Sequence, residues 1–143
     1  MSVRAKLFLM MVLEFFIWGA WFPLIFAYLP GLGFTAAEQS WILNAFPIAA
    51  IVGMFFSNQF ADRTFAAERF LSASHLAGGI AMIALAWTRE FWPFFAAMIA
   101  HCLFYVPTLS ITNSIAFTHM KDRQQEFGFV RMGGTLEIGR AHV

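Results

Sequence analysis

Charged residues and cysteines are scarce in this chain of 143 residues. Lys, Arg, Asp and Glu make up 12% of the sequence, whereas an ordinary soluble domain carries roughly 25%. The net charge of +1 gives no basic surface for nucleic acid, so we expect no nucleic-acid partner. The single cysteine, Cys102, excludes an intramolecular disulfide framework and a cysteine-based metal site.

The motifs of common enzyme classes are also missing. The sequence contains no nucleophile–base pattern, no glycine-rich phosphate loop and no H-E-x-x-H pair. A lone His on a polar helix face, without a Cys/His/Asp cluster near it, is more often a hydrogen-bonding partner than a metal ligand. We therefore predict that the protein is not an enzyme and binds neither a metal ion nor an organic cofactor.

Apolar residues, by contrast, are abundant and occur in long runs. They make up 60% of the chain, and four runs approach or exceed the ~20 residues with which a helix crosses about 30 Å of hydrocarbon. Lipid offers the backbone no hydrogen-bond partners, so each run must be helical. The sequence predicts an all-α, polytopic transmembrane helix bundle with spans at about 7–29, 41–60, 70–87 and 91–117, and a fifth span starting at about 127.

Lys and Arg residues are concentrated on one side of these spans: Arg4, Lys6, Arg63, Arg69, Lys121 and Arg123. The connections on the other side contain Arg89 alone. Cytoplasmic loops carry the excess of positive charge. This pattern predicts a multi-pass protein of a bacterial inner (cytoplasmic) membrane with its N-terminus in the cytoplasm and the lipid bilayer as its surroundings.

Polar and aromatic side chains recur at helical spacing within two spans. The first span carries four polar or aromatic residues on one face, which we expect to line a cavity or the bundle interior: Glu14, Trp18, Trp21 and Tyr28. A carboxylate at that depth raises the free energy of membrane insertion. Glu14 is therefore either a proton carrier or a hydrogen-bonded residue that holds its helix to a neighbouring one. A second stripe on the fourth span is compatible with a substrate-lined helix or a structural polar seam: His101, Tyr105, Thr108 and Thr112, with Asn113 adjacent.

Local signals predict details of the bundle. Thr35 and Glu38 have the spacing of a capping box at a helix start, and Pro47 should kink the second span. Small residues four apart let helices pack closely in lipid. Two such pairs occur: Ala49 with Gly53, and Ser74 with Gly78.

Charged residues also stand at the ends of spans. Asp62 and Arg63 follow the second span, where they form either a bridge between helices or an ordinary solvated turn. Arg131 and Thr135 open the fifth apolar segment at positions i and i+4, so they point the same way. Together they offer donors to a polar, uncharged substrate; the alternative for Arg131 is to snorkel to a lipid phosphate.

The end of the chain differs in character. Residues 137–143, E-I-G-R-A-H-V, can be encoded by GAGATCGGAAGAGCACACGTC, which contains the start of a common sequencing adapter. We interpret 136–143 as a non-native tail on a truncated reading frame, and residues 1–135 as the genuine N-terminal transmembrane bundle. The alternative is a chance match.

Five short motifs follow one another along the chain: Trp18-Gly-Ala-Trp21, Ala61-Asp62-Arg63, Tyr105-Val-Pro-Thr-Leu109, Thr112-Asn113 and Arg131-Met-Gly-Gly-Thr135. With them the chain, from about residue 7 to 135, resembles the nucleoside:H⁺ symporter family of the major facilitator superfamily. The resemblance implies twelve helices in two six-helix halves, of which this chain is part of the N-terminal half. It also implies proton-coupled uptake of a nucleoside bound near the midplane.

The resemblance further implies roles for individual residues. Arg131 and Thr135 match the family motif that contacts nucleoside, and Trp18 and Trp21 would form the aromatic walls of the site. The proton is the coupling ion, and the acid that carries it lies in a C-terminal half, the partner that this chain lacks. Where the family can have a neutral polar residue in helix one, this chain has Glu14, which indicates an additional protonation site or an altered substrate.

Two other functions remain open from the sequence. One is a major facilitator transporter for a sugar or another polar metabolite. The other is a small four-helix membrane scaffold that does not transport. Further apolar spans encoded in frame after Thr135 would exclude the scaffold.

Overall fold

The computed structural model describes residues 2–60, 67–120, 128 and 132, with backbone only for 55–60. Within these residues the regular structure is entirely helical: α1 (Val3–Gly31), α2 (Ala36–Leu43), α3 (Ala45–Phe60), α4 (Ala67–Leu85) and α5 (Phe91–His119). The chain divides into two compact units, Met1–Tyr28 with Thr112–Val143, and Leu29–Ile111.

Two of the described helices, α1 and α5, are long and apolar enough to cross a membrane by themselves. Each has 29 residues and is therefore about 43 Å long, well above the ~30 Å of the hydrocarbon core. Helices of this length must tilt or project beyond the lipid. Helix α4 has 19 residues, close to the minimum span.

A tight turn joins α1 to α2. Gly33 has a φ of 83°, a left-handed conformation that suits glycine, and its N–H donates to the carbonyl of Pro30 at 2.9 Å. Thr35 then caps α2: its hydroxyl accepts from the N–H of Glu38 at 3.3 Å, and the Glu38 carboxylate accepts from the N–H of Thr35 at 2.8 Å. The predicted capping box is confirmed.

This capping box should make α2 more stable at neutral than at acid pH. Hydrogen bonds from the Thr35 side chain and backbone lower the pKa of Glu38 below its ordinary value. The stabilisation is complete above the pKa of Glu38 in the unfolded chain and disappears as the pH falls through the folded-state pKa. We expect Thr35→Ala to lower the melting temperature modestly at neutral pH and less in acid, with Thr35→Ser as the control. An equal loss at both pH values would contradict this.

The second apolar run is not one helix. Its first turns form α2, which ends at Asn44, where the side-chain amide and the backbone N–H both donate to the carbonyl of Ser40 at 2.7 and 3.0 Å. Pro47 is the third residue of α3 and has no N–H to donate to Leu43. The kink predicted at Pro47 is therefore found as a break three residues earlier.

The described structure buries a few polar side chains within a mostly apolar interior and exposes several large apolar ones. The buried polar residues are Glu14, Ser74, His101, Thr108 and Thr112. By contrast, Leu76, Trp87 and Trp92 are 69%, 77% and 73% exposed. Exposed apolar side chains together with buried polar ones are the combination expected where lipid covers the surface.

Two glycines allow close helix packing in the unit Leu29–Ile111. A Cβ atom at Gly78 would lie 3.5 Å from the Cβ of Phe104, so α4 and α5 are in contact there. A Cβ atom at Gly53 would lie 3.7 Å from Cγ of Pro107, which brings α3 against α5. Both glycines belong to the small-residue pairs from which close packing was predicted.

Candidate functional site

The buried face of α1 carries one carboxyl group. Leu7, Met11 and Ile25 are buried on the same helical stripe, at spacings of three and four residues or their sums. Glu14 lies on this stripe and is only 2% exposed. The fold therefore places an ionisable group where the pattern of α1 otherwise puts apolar residues.

Glu14 is hydrogen-bonded to α5. The hydroxyl of Thr112 donates to Oε2 of Glu14 at 3.1 Å, across 98 positions of sequence, and both residues belong to one compact unit. Thr112 is completely buried, and its neighbour Asn113 is half-buried. A hydroxyl can donate to a carboxylate and accept from a carboxylic acid, so the two side chains can share a hydrogen bond in either protonation state of Glu14.

Aromatic rings continue along α1 from Glu14. Trp18 and Trp21 both contact Phe22, with ring centroids 5.0 and 5.7 Å apart, and Phe22 contacts Phe26 at 5.4 Å. Both tryptophans are half-buried, so part of each indole surface remains accessible. Accessible indole faces can stack against a flat, delocalised ring such as a nucleobase.

In the unit Leu29–Ile111, the polar stripe of α5 begins with His101. Its Nδ1 lies 2.9 Å from the carbonyl oxygen of Gly78 on α4, and since a carbonyl only accepts, Nδ1 carries the hydrogen. The imidazole also stacks on the ring of Tyr105, with centroids 5.7 Å apart and planes 10° apart. His101 is 2% exposed, so this group joins α4 to α5 within the interior.

Pro107 lies inside α5, and two hydroxyl groups that follow it bond to backbone carbonyls. The Thr108 hydroxyl donates to the carbonyl of Tyr105, and the Ser110 hydroxyl donates to the carbonyl of Pro107 at 3.1 Å. A proline in a helix removes one backbone donor and disturbs the preceding carbonyls. The hydroxyls of Thr108 and Ser110 are thus hydrogen-bonded within their own helix.

Burial separates the predicted cavity and substrate residues into two groups. Five are buried: Glu14, His101, Tyr105, Thr108 and Thr112. Three are half-buried and retain accessible surface: Trp18, Trp21 and Asn113. One buried polar residue, Ser74, is missing from the predicted set, although its position four residues before Gly78 was a signal for it.

Several predicted features lie outside the described residues. These are Arg131, Thr135, Asp62, Arg63, the start of the fifth span at about 127 and the tail 136–143. Their roles stay predictions. Within the described part of the chain, no group of three or more His, Cys, Asp or Glu side chains could hold a metal ion.

Sequence comparison matches residues 1–140 to the family model described as "Nucleoside H+ symporter". YegT of Escherichia coli (strain K12) is 38% identical over 136 residues, which are 95% of this chain and 32% of YegT. The xanthosine permease of the same organism is 28% identical over 145 residues, 95% of this chain and 34% of the permease. The chain thus spans about a third of the length of the curated relatives that it matches.

Structural comparison matches the crystal structure of the nucleoside transporter NupG with a TM-score of 0.93 and 23% sequence identity. The match covers 99% of this chain and 36% of that one. It confirms the predicted fold class, an all-α transmembrane bundle that forms part of the N-terminal half of a major facilitator fold.

Proposed function

This chain belongs to the nucleoside H⁺ symporter family, and from that membership we propose that the whole protein takes up nucleosides together with protons. The observation that carries the proposal is the family match over residues 1–140. The names of the xanthosine permease and of the nucleoside transporter NupG support the same substrate class. As a carrier, the protein performs no covalent chemistry and needs no cofactor besides the coupling proton.

In this proposal the protein works by alternating access. Two halves rock about a substrate site near the midplane of the bilayer, and the present chain supplies part of the first half. Trp18 and Trp21 are the described side chains suited to the base, because they offer accessible aromatic surface in an apolar bundle. Arg131 and Thr135 would donate hydrogen bonds to carbonyl and hydroxyl oxygens of the nucleoside, and the C-terminal half would close the site.

We place the protein in a bacterial inner membrane with its N-terminus in the cytoplasm. The support is the distribution of Lys and Arg. Six of them lie on the same predicted side of the membrane as the N-terminus, and the connections on the other side contain Arg89 alone. In this orientation Asp62 and Arg63 would face the cytoplasm, either in an ordinary solvated turn or as a bridge between helices.

Uptake into vesicles tests the proposed function. The complete protein, reconstituted in lipid vesicles, should accumulate uridine when an inward proton gradient is imposed, and a proton ionophore should abolish the accumulation. The 143-residue chain alone should give no uptake, because alternating access needs both halves.

Competition identifies the substrate class in the same assay. Excess unlabelled nucleoside should suppress the uridine signal, while sugars should leave it unchanged. Inhibition by sugars but not by nucleosides would refute nucleoside transport in favour of a sugar carrier. Uptake by the 143-residue chain alone would refute the need for the second half.

A further inference from the structure

The carboxyl group of Glu14 lies deep in a membrane-spanning helix. It follows the start of α1 at Val3 by 11 residues, about 17 Å of helix, and precedes the end at Gly31 by 17 residues, about 26 Å. The side chain is 2% exposed. Ionisable groups at such depth are costly when charged and mark proton pathways and binding sites in membrane proteins.

We propose that Glu14 and Thr112 form a proton-binding site within the N-terminal bundle, separate from the nucleoside contacts proposed for Arg131 and Thr135. In the ionised state, the Thr112 hydroxyl donates to Oε2 of Glu14 across the observed 3.1 Å. In the neutral state, the new carboxylic O–H donates to the Thr112 oxygen. The Thr112 hydrogen then turns to a carbonyl of the preceding turn of α5, as threonine hydroxyls in helices do.

Thr112 can serve both states because a hydroxyl is donor and acceptor at once. The step forms one O–H bond on the carboxylate and breaks one in a hydronium ion. No redox partner is needed. A valine at position 112 has the same shape but can make neither hydrogen bond, whereas a serine can make both.

In the described residues of its own unit, the other ionisable groups lie away from Glu14. Met11, one turn before it, is buried, and Trp18, one turn after it, is half-buried. On α5 the hydroxyl of Thr112 is in hydrogen-bond contact with the carboxyl. The other described ionisable residues of this unit are all exposed: Arg4, Lys6, Tyr28 and His119.

These four groups are also far away along their helices. Lys6 precedes Glu14 by eight residues and Arg4 by ten, about 12 and 15 Å of α1, and Tyr28 follows it by about 21 Å. His119 follows Thr112 by seven residues, about 10 Å of α5. The proposed site therefore consists of a carboxyl and a hydroxyl supplied by two helices.

Infrared spectroscopy of the complete protein without nucleoside tests the site directly. A protonated carboxyl has a C=O stretching band that the ionised form lacks. The spectrum of the wild type minus that of Glu14→Gln should contain this band at acid pH and lose it as the pH is raised. A difference spectrum that does not change with pH overturns the proposal, because Glu14 would then be permanently neutral or permanently ionised.

Variants of Thr112 test whether its hydroxyl bonds to the Glu14 carboxyl. They also keep the proposal testable if Glu14→Gln does not fold. Thr112→Val should shift the pH-dependent band of the otherwise native protein, because the carboxyl loses a hydrogen bond. Thr112→Ser should leave the band in place. If no pH-dependent carboxyl band responds to Thr112→Val, the site does not exist as proposed.

A second measurement asks whether the site takes part in transport, and this part rests on the proposed function. Substrate and proton affinities are coupled reciprocally, so uridine binding should draw protons from a weakly buffered solution. Glu14→Gln should take up fewer protons per uridine bound than the wild type. Equal proton uptake would refute a role of Glu14 in the coupling of proton and nucleoside binding. A wild type that binds no uridine refutes the proposed function, while the infrared result still decides the proton site.

Discussion

Leucine at Gly78 should sharply reduce the amount of folded protein, whereas leucine at the adjacent Gly79 should be tolerated. The Cβ position of Gly78 faces the Cβ of Phe104 at 3.5 Å and Nδ1 of His101 at 3.7 Å, so the further atoms of leucine have no space. The Cβ position of Gly79 meets nothing within 4 Å. Overpacking of this kind costs about 1–3 kcal/mol, and separating α4 from α5 would also break the hydrogen bond from His101 to Gly78.

The free energy of unfolding in mixed detergent micelles measures this difference. The two glycines are neighbours in α4, so the change in helix propensity is the same for both variants and cancels in the comparison. Gly78→Ala is a further control, since a contact at 3.5 Å is ordinary van der Waals packing and should be accepted. Equal losses for Gly78→Leu and Gly79→Leu would contradict the packing of α4 on α5.

Alanine at Arg131 should weaken nucleoside binding by about thirtyfold or more in the complete protein. A hydrogen bond from a charged group to a neutral one contributes roughly 1.5–3 kcal/mol, and 2 kcal/mol corresponds to about thirtyfold in affinity. Arg131→Lys should also bind poorly, because an ammonium group cannot reproduce the two-pronged geometry of a guanidinium. Equilibrium binding of uridine measures both variants.

Arg89 provides the matched control for Arg131. It lies exposed in the connection between α4 and α5, and Arg89→Ala removes the same charge without touching the proposed site. Its uridine affinity should equal that of the wild type. If Arg131→Ala also binds like the wild type, Arg131 has no part in nucleoside recognition and the alternative, contact with lipid phosphate, is favoured.

The helical fold could be predicted from the sequence because lipid leaves the backbone no alternative. Runs of 20 or more apolar residues must satisfy their own N–H and C=O groups, which only a helix does within one segment. The described α1 and α5 accordingly include the predicted spans 7–29 and 91–117 and extend beyond both. The capping box at Thr35 was equally predictable, since it depends on residues three positions apart.

The break at Asn44 shows the limit of such local rules. Pro47 predicts a distortion, but a proline disturbs the carbonyl four residues before it, and the exact place of the break depends on which side chain can satisfy the exposed groups. Here the helix ends at Asn44, whose side-chain amide donates to the carbonyl of Ser40. The sequence indicates the defect and the structure gives its position.

Partners across the bundle could not be predicted. Helical spacing assigns Glu14 to one face of α1 and Thr112 to one face of α5, but nothing in either segment states that these two faces meet. The same holds for His101 and the carbonyl of Gly78, which are 23 positions apart and belong to different helices. Arg131 and Thr135, which the family resemblance supplied, lie outside the described residues and depend on the binding experiments.

The exposed face of α4 should tolerate a different set of substitutions from its buried face. Leu76, Ile80 and Ile83 are each more than half exposed and recur at helical spacing, the pattern expected where hydrocarbon chains surround a helix. Because lipid tails are fluid and do not select for shape, we expect any bulky aliphatic residue to be tolerated at these three positions. A charged residue at any of them should destabilise the protein. Among natural variants, we expect positions 76, 80 and 83 to remain apolar while the amino acid changes. We expect Gly78 and His101 to remain the same residues.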